Sequence, residues 1–116
     1  MANDSILTTI KKRLGVVEEY TEFDPDIIMD INSVFSILFQ LGVGPDEGFA
    51  IEDSTAVWSD YLPEGHLLND VKTYVYLKTR KMFDPSLNSA VQQSMDNLIA
   101  ELEWRINVAV DPKAGD

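Results

Sequence analysis

The sequence predicts an all-α fold, a small helical bundle of about four helices with a long, partly structured connection between the second and third long helices. Three observations carry that expectation. Apolar residues recur at helical spacing in separate segments, Asp-Pro openings and Gly stops bracket them, and strand-like alternation occurs only at Phe49-Ala50-Ile51. The 116 residues suit one domain, 1–116, with 112–116 as a flexible tail.

The first helix is expected from Asp4 or Ser5 to Leu14, with either residue as its cap and Gly15 as its stop. Ile6, Leu7, Ile10 and Leu14 share one arc, and Lys11 and Lys12 lie outside it. Lys11, Lys12 and Arg13 fill the last turn, where cations suit the negative end of the helix dipole. The second helix has Asp24 as N-cap, Pro25 as its first helical residue and Asp26 in the first turn. It ends at Leu41, before Gly42-Val43-Gly44-Pro45. Its apolar residues, from Ile27 to Leu41, cover more than half of the circumference, as expected of a central helix with neighbours on several sides. Asn32, Ser33, Ser36 and Gln40 fill the remaining arc with small or neutral side chains that tolerate a close neighbour.

Gly42 to Gly65 breaks into turns. Phe49-Ala50-Ile51 alternates like a brief strand, Ser54 is placed to cap a turn or two, and Trp58, Tyr61 and Leu62 are expected to pin the segment to the core. A third long helix is expected over His66 to Phe83, with Leu67, Val71, Tyr74, Val75 and Met82 on one face and Lys78 at its centre. The last helix is expected to open near Asp84-Pro85 and to stop before Asp111-Pro112. Its stripe is Leu87, Val91, Met95, Leu98, Leu102, Ile106 and Ala109.

Composition removes several function classes. Asp and Glu number 20 against 9 Lys and Arg, a net charge of −11, which argues against a dedicated nucleic-acid binder. Without cysteine there is no disulfide, thiolate chemistry or cysteine-built metal site. No apolar run is long enough to span a membrane, and Met1 to Ser5 lacks the basic-then-apolar order of a secretory signal. Catalysis finds no constellation: His66 stands beside Gly65 at a helix start with no nucleophile motif around it. Gly42-x-Gly44 lacks the strand, loop and lysine of a phosphate cradle and reads as a helix stop. A calcium loop counted from Asp24 meets Met29 and Phe35 where glycine and glutamate are required, so Asp24, Asp26 and Asp30 fail that pattern. No cofactor and no metal are expected.

The order of the charges is more informative. Between Leu14 and Val71 every charged side chain is acidic; Lys72, Lys78, Arg80 and Lys81 then follow with no acid among them. Lys72, Tyr76 and Arg80 stand at i, i+4 and i+8 on the outer face of the third helix. A basic stripe with an aromatic suits nucleic acid. The asymmetry fits better with a basic helix facing the acidic segment, within one subunit or across a subunit boundary. Lys78 occupies a position where an apolar residue is expected, and two readings stay open. Its stem snorkels towards the helix end, or it forms a partly buried ion pair with a carboxylate such as Asp30. Trp104 is offset by roughly 200° from Leu102 and aligns with Ala100 and Val108. That second apolar strip suits a covering neighbour, either the first helix or, by preference, another subunit.

One family resemblance runs over nearly the whole chain, from about Ser5 to Val110. It is carried by Ser5-Ile6-Leu7, Gly15, Tyr20-Thr21-x-Phe23-Asp24, Ile31-Asn32-Ser33-Val34-Phe35 and Leu41-Gly42-Val43-Gly44. Phe49-x-Ile51-x-Asp53, Trp58, Val71 to Lys78, Phe83-Asp84-Pro85 and Glu101-Leu102-Glu103-Trp104-Arg105 continue it. The chain resembles the head–tail connector (adaptor) proteins of long-tailed phages and prophages of Gram-positive bacteria. The resemblance implies a structural virion protein, not an enzyme, that forms a ring of about a dozen subunits beneath the portal. Its implied partners are other copies of itself, the portal protein and a stopper or tail-completion protein, with DNA passing through the channel without specific binding and no membrane. The implied location is the virion neck, and the bacterial host cytoplasm during assembly. On this chain the portal-docking segment maps to Trp104 through Asp116, and Gly42 to Gly65 faces a neighbour or the stopper. The candidate subunit or portal interface is Lys72, Tyr76, Arg80, Ala100, Trp104 and Val108. A small acidic regulator that binds a basic or DNA-binding protein by charge mimicry is the alternative, supported by the net charge of −11.

Overall fold

The computed structural model describes residues 5–83 and 88–110. They form four α-helices, α1 (Ile6–Leu14), α2 (Asp24–Gln40), α3 (His66–Phe83) and α4 (Ser89–Val110), with one 3-10 turn at Trp58–Asp60. The expected all-α bundle is what forms. The only strand-like pairing among the described residues is an isolated bridge between Ser5 and Val57.

Helix α1 starts and stops where the sequence says. Ser5 Oγ accepts the Thr8 N–H at 3.2 Å, and Gly15 adopts the left-handed conformation with φ of 85°. The Gly15 and Val16 N–H groups then close back onto the Lys12 and Lys11 carbonyls. Lys11 departs from its expected place. It is 3% exposed, because residues 16–23 fold back along the side of α1 and cover it.

Helix α2 begins at Asp24 itself, with Phe23 as N-cap and no side-chain cap. The Asp24 carboxylate is turned towards Lys11 and is therefore not available to cap. The wide apolar stripe of α2 is covered on two sides, but only one side is helical. Helices α1 and α3 pack against it. The other side lies under the 42–65 connection, where Phe35 meets Phe49 (5.1 Å between ring centroids), Tyr61 (4.6 Å) and Trp58 (6.4 Å). Trp58 and Tyr61 are buried and Leu62 packs against the same core, as expected. The central helix is α3, not α2: it touches α1, α2 and α4.

The brief strand expected at 49–51 does not form. Asn32 replaces the missing strand neighbour: its Nδ2 donates to the Ile51 carbonyl (2.9 Å) and its Oδ1 accepts the Ile51 N–H (2.8 Å). A side-chain amide can match a peptide group in this way, so one extended residue is satisfied without a ladder. Ser54 caps nothing; the 3-10 turn is closed by Asp60, whose carboxylate accepts the Val57 N–H at 3.2 Å. Gly44 is required where it stands. Its φ is 94°, and a Cβ there would come within 2.6 Å of Tyr61 Cε1.

Helix α3 spans the expected residues, but its buried face is rotated. Leu68, Val71, Tyr74, Val75, Leu77 and Thr79 are buried, whereas Met82 is 41% exposed and Leu67 half-buried. Three helices share α3, so no single stripe describes it. Within α4 the buried residues are Met95, Ile99, Leu102 and Ile106. Ile99 takes the place expected for Leu98, and Leu98, Val91 and Ala109 are exposed. A narrow seam of this kind is what packing along one neighbour selects. Asn88 opens α4, its Oδ1 accepting the Val91 N–H at 2.9 Å. The expected Asp84-Pro85 opening, Leu87 and the tail from Pro112 lie outside the described residues.

Candidate interaction surfaces

The basic stripe of α3 is held by aromatic rings. Lys72 Nζ lies 5.7 Å from the centroid of the Trp58 ring, and the Arg80 guanidinium donates to the Tyr76 hydroxyl at 2.8 Å. Arg13, from the end of α1, places its guanidinium 5.6 Å from the Tyr76 ring centroid. Such contacts orient a cation without neutralising it. Trp58 is itself locked, fully buried, with its Nε1 donating to Thr9 Oγ1 at 2.9 Å. Together Thr9, Ile10, Arg13, Trp58, Lys72 and Tyr76 line a small hollow of 140 Å³ between α1 and α3.

The ion pairs among the described residues are Lys11–Asp24, Lys81–Asp96 and Arg105–Glu101. Arg13, Lys72 and Arg80 thus pair with no carboxylate there. Lys11–Asp24 is the only one of the three that reaches the acidic 15–70 segment. The acidic segment and the α3 stripe do not neutralise each other within the subunit.

The second expected set lies elsewhere. Trp104 is 67% exposed and Val108 52%, and Ala100 is exposed beside them on α4. Helix α1 does not cover this strip. No hydrogen bond, ion pair or ring contact joins it to Lys72, Tyr76 or Arg80 among the described residues. The expected residues thus stand on two helices, the basic stripe on α3 and the apolar strip on α4.

The ion pair expected between Lys78 and Asp30 is not formed. Lys78 Nζ lies 5.9 Å from the ring centroid of Tyr74, four residues before it on the same helix. The Tyr74 hydroxyl donates to Glu103 Oε2 at 2.7 Å and ties α3 to α4. Burial first, and then that carboxylate, push the Tyr74 phenol well above its ordinary pKa. Asp30 instead lines a shallow groove with Phe23, Asp26, Met29, Met82 and Phe83. Its carboxyl is held above the usual carboxylate range by burial and by the neighbouring Asp26 charge.

That groove was not anticipated from sequence. Tyr20, Phe23 and Phe83 form an edge-to-face ladder with 5.3 Å between successive centroids, and Met29 beside it is 66% exposed. Its signal in the sequence is the i, i+3, i+4 placement of Asp26, Met29 and Asp30, an apolar side chain between two acids. His66 is exposed at the start of α3, and no group of three or more potential metal ligands occurs among the described residues.

The sequence pattern of the family described as phage connector protein matches residues 6–113. This chain belongs to the phage connector protein family. The match starts at the first residue of α1 and runs past the last residue of α4, so it takes in every helix of the fold. No curated protein and no solved structure matches the chain. Connector proteins are structural components of phages, and a surface for neighbours is therefore the relevant site. No helix of the described residues is long and apolar enough to cross a membrane.

Proposed function

We propose that this phage connector protein is a neck subunit that forms a ring beneath the portal and extends the DNA channel towards the stopper and tail. One observation carries the reading: Arg13, Lys72 and Arg80, which have no carboxylate partner among the described residues, gather on the α1/α3 face of a chain whose net charge is −11. Equal subunits close a ring only through a head-to-tail contact between two different surfaces. A basic face and an acidic one on the same chain supply that pair. The surplus carboxylates also suit a channel wall, since like charge keeps DNA sliding without sticking.

In this assembly the exposed Trp104 strip and the tail beyond it face the portal, while the 42–65 connection faces a neighbour or the stopper. The protein then resides in the virion neck, after assembly in the host cytoplasm. Native mass spectrometry of the purified chain, followed by co-sedimentation with the portal, tests the reading. A closed ring, alone or on the portal, is expected. A stable dimer that ignores the portal and forms a salt-sensitive complex with a DNA-binding protein would favour an acidic regulator instead.

A further inference from the structure

Two surfaces of the chain complement each other, and neither forms an ion pair among the described residues. The first is the hollow between α1 and α3, flanked by Arg13 and Lys72 and walled by Tyr76 and Trp58. The second stands on α2, where Asp26, Met29 and Asp30 share one side of the helix. Met29 projects there, 66% exposed, between two carboxylates that pair with no cation among the described residues.

The two surfaces cannot meet in one chain because they lie on different sides of α3. Tyr76 lines the hollow, and Met82, which lines the groove beside Met29, lies about 240° further round the helix. A basic hollow and an acidic surface with an exposed methionine, set apart on the same chain, are suited to a heterologous contact between copies. A thioether also packs well against aromatic walls. The net charge of −11 disfavours a phosphate backbone as the occupant.

We infer that Asp26, Met29 and Asp30 of one chain dock into the Arg13/Lys72 hollow of a second copy. Met29 fills the hollow beside Tyr76, and the two carboxylates meet the two cations. This rests on the connector reading above and names the surfaces through which copies join.

Charge exchange in the full-length protein tests it, by sedimentation velocity at low salt with circular dichroism as the control for folding. The variants R13E/K72E and D26K/D30K are each expected to assemble at least about tenfold more weakly than the wild type. Mixed in equal amounts they should assemble again, because each then offers the surface that the other's altered one fits. Met29→Lys lies on an exposed position, would set a cation against Arg13 and Lys72, and should weaken assembly without loss of helix. Variants that assemble like the wild type would overturn the inference and leave the connector reading standing, with other surfaces joining the subunits. A wild-type chain that stays monomeric at every concentration would also overturn it, and portal co-sedimentation would still decide the connector reading. Binding of a labelled DNA duplex that is lost in R13E/K72E would assign the hollow to nucleic acid and overturn it equally.

Discussion

Lys11 Nζ lies 2.8 Å from Asp24 Oδ1, and the same ammonium donates to the Glu18 and Tyr20 carbonyls at 2.9 and 2.8 Å. The contact with Asp24 has the angle of an ion pair, not of a directed hydrogen bond. One side chain at the end of α1 thereby fastens the whole 16–23 segment and the first residue of α2. A buried ammonium with three acceptors is tolerated, whereas removing it strands the acceptors. Lys11→Ala is expected to cost about 3 kcal/mol, read from the urea midpoint. Asp24→Asn, which keeps an acceptor, is expected to cost less, about 1 kcal/mol.

Asn32 acts on the opposite side of α2. Asn32→Ala removes both bonds to Ile51, whose side chain is 2% exposed, and leaves a peptide group short of partners. A loss of about 1–3 kcal/mol is expected. Faster amide exchange at Ile51, with α4 amides unchanged, would locate the effect in the connection.

Gly44 and Gly48 form a matched pair of tests. Both have positive φ, 94° and 91°, but only at Gly44 does an added Cβ meet Tyr61; at Gly48 the space is open. Gly48→Ala should cost about 1 kcal/mol for backbone strain alone. Gly44→Ala should cost clearly more, because Tyr61 and the Phe35 cluster must shift. Equal losses would show that the aromatic cluster yields freely.

The pH dependence has two arms. Burial raises the phenols of Tyr61 and Tyr74 above their ordinary value, so the folded state favours their neutral forms. That stabilisation is fully present below the unfolded phenol value near pH 10 and is lost above it. Alkaline unfolding should therefore begin above about pH 10, together with tyrosinate absorbance at 295 nm. Asp30 is raised as well, which favours its protonated form in the folded chain. Its ionisation weakens folding as pH rises through that raised value. Asp30→Asn should thus stabilise the monomer at neutral pH, and the gain should vanish in acid below the unfolded carboxylate range.

The two tryptophans separate structure from assembly. Trp58 is 1% exposed and Trp104 67%. Acrylamide should quench Trp104 and leave Trp58 almost untouched in the free chain. Trp104→Ala should change stability by no more than about 0.5 kcal/mol, while lowering portal co-sedimentation.

Helix existence and the ends of α1 and α3 were legible because they depend on neighbours in sequence. Ser5 caps through its own hydroxyl, Gly15 stops α1 by a conformation that glycine tolerates best, and the bounds of α3 follow from its local pattern. The rotation of each helix about its axis was not legible to the same degree. Leu98 and Ile99 differ by one step on α4, and only contact with α3 decides which is buried. The candidate surfaces divide in the same way. Lys72, Tyr76 and Arg80 share a face by spacing alone, and Trp104 falls outside the stripe by spacing alone. What binds Lys72 could not be read locally, since Trp58 reaches it from a connection folded in from elsewhere in the chain.

By itself, the sequence determined an acid-rich all-α chain, the ends of α1 and α3 and the family to which it belongs. Periodicity, capping and charge order are written residue by residue, and each acts over a few ångströms along the chain. Only the tertiary structure decided that α3 is central, that Lys11 is buried on Asp24, and that Asn32 substitutes for a strand. It alone left Arg13, Lys72 and Arg80 without carboxylate partners among the described residues. These outcomes depend on segments distant in sequence competing to cover the same apolar surface, and the competition is settled by packing, which no local pattern encodes.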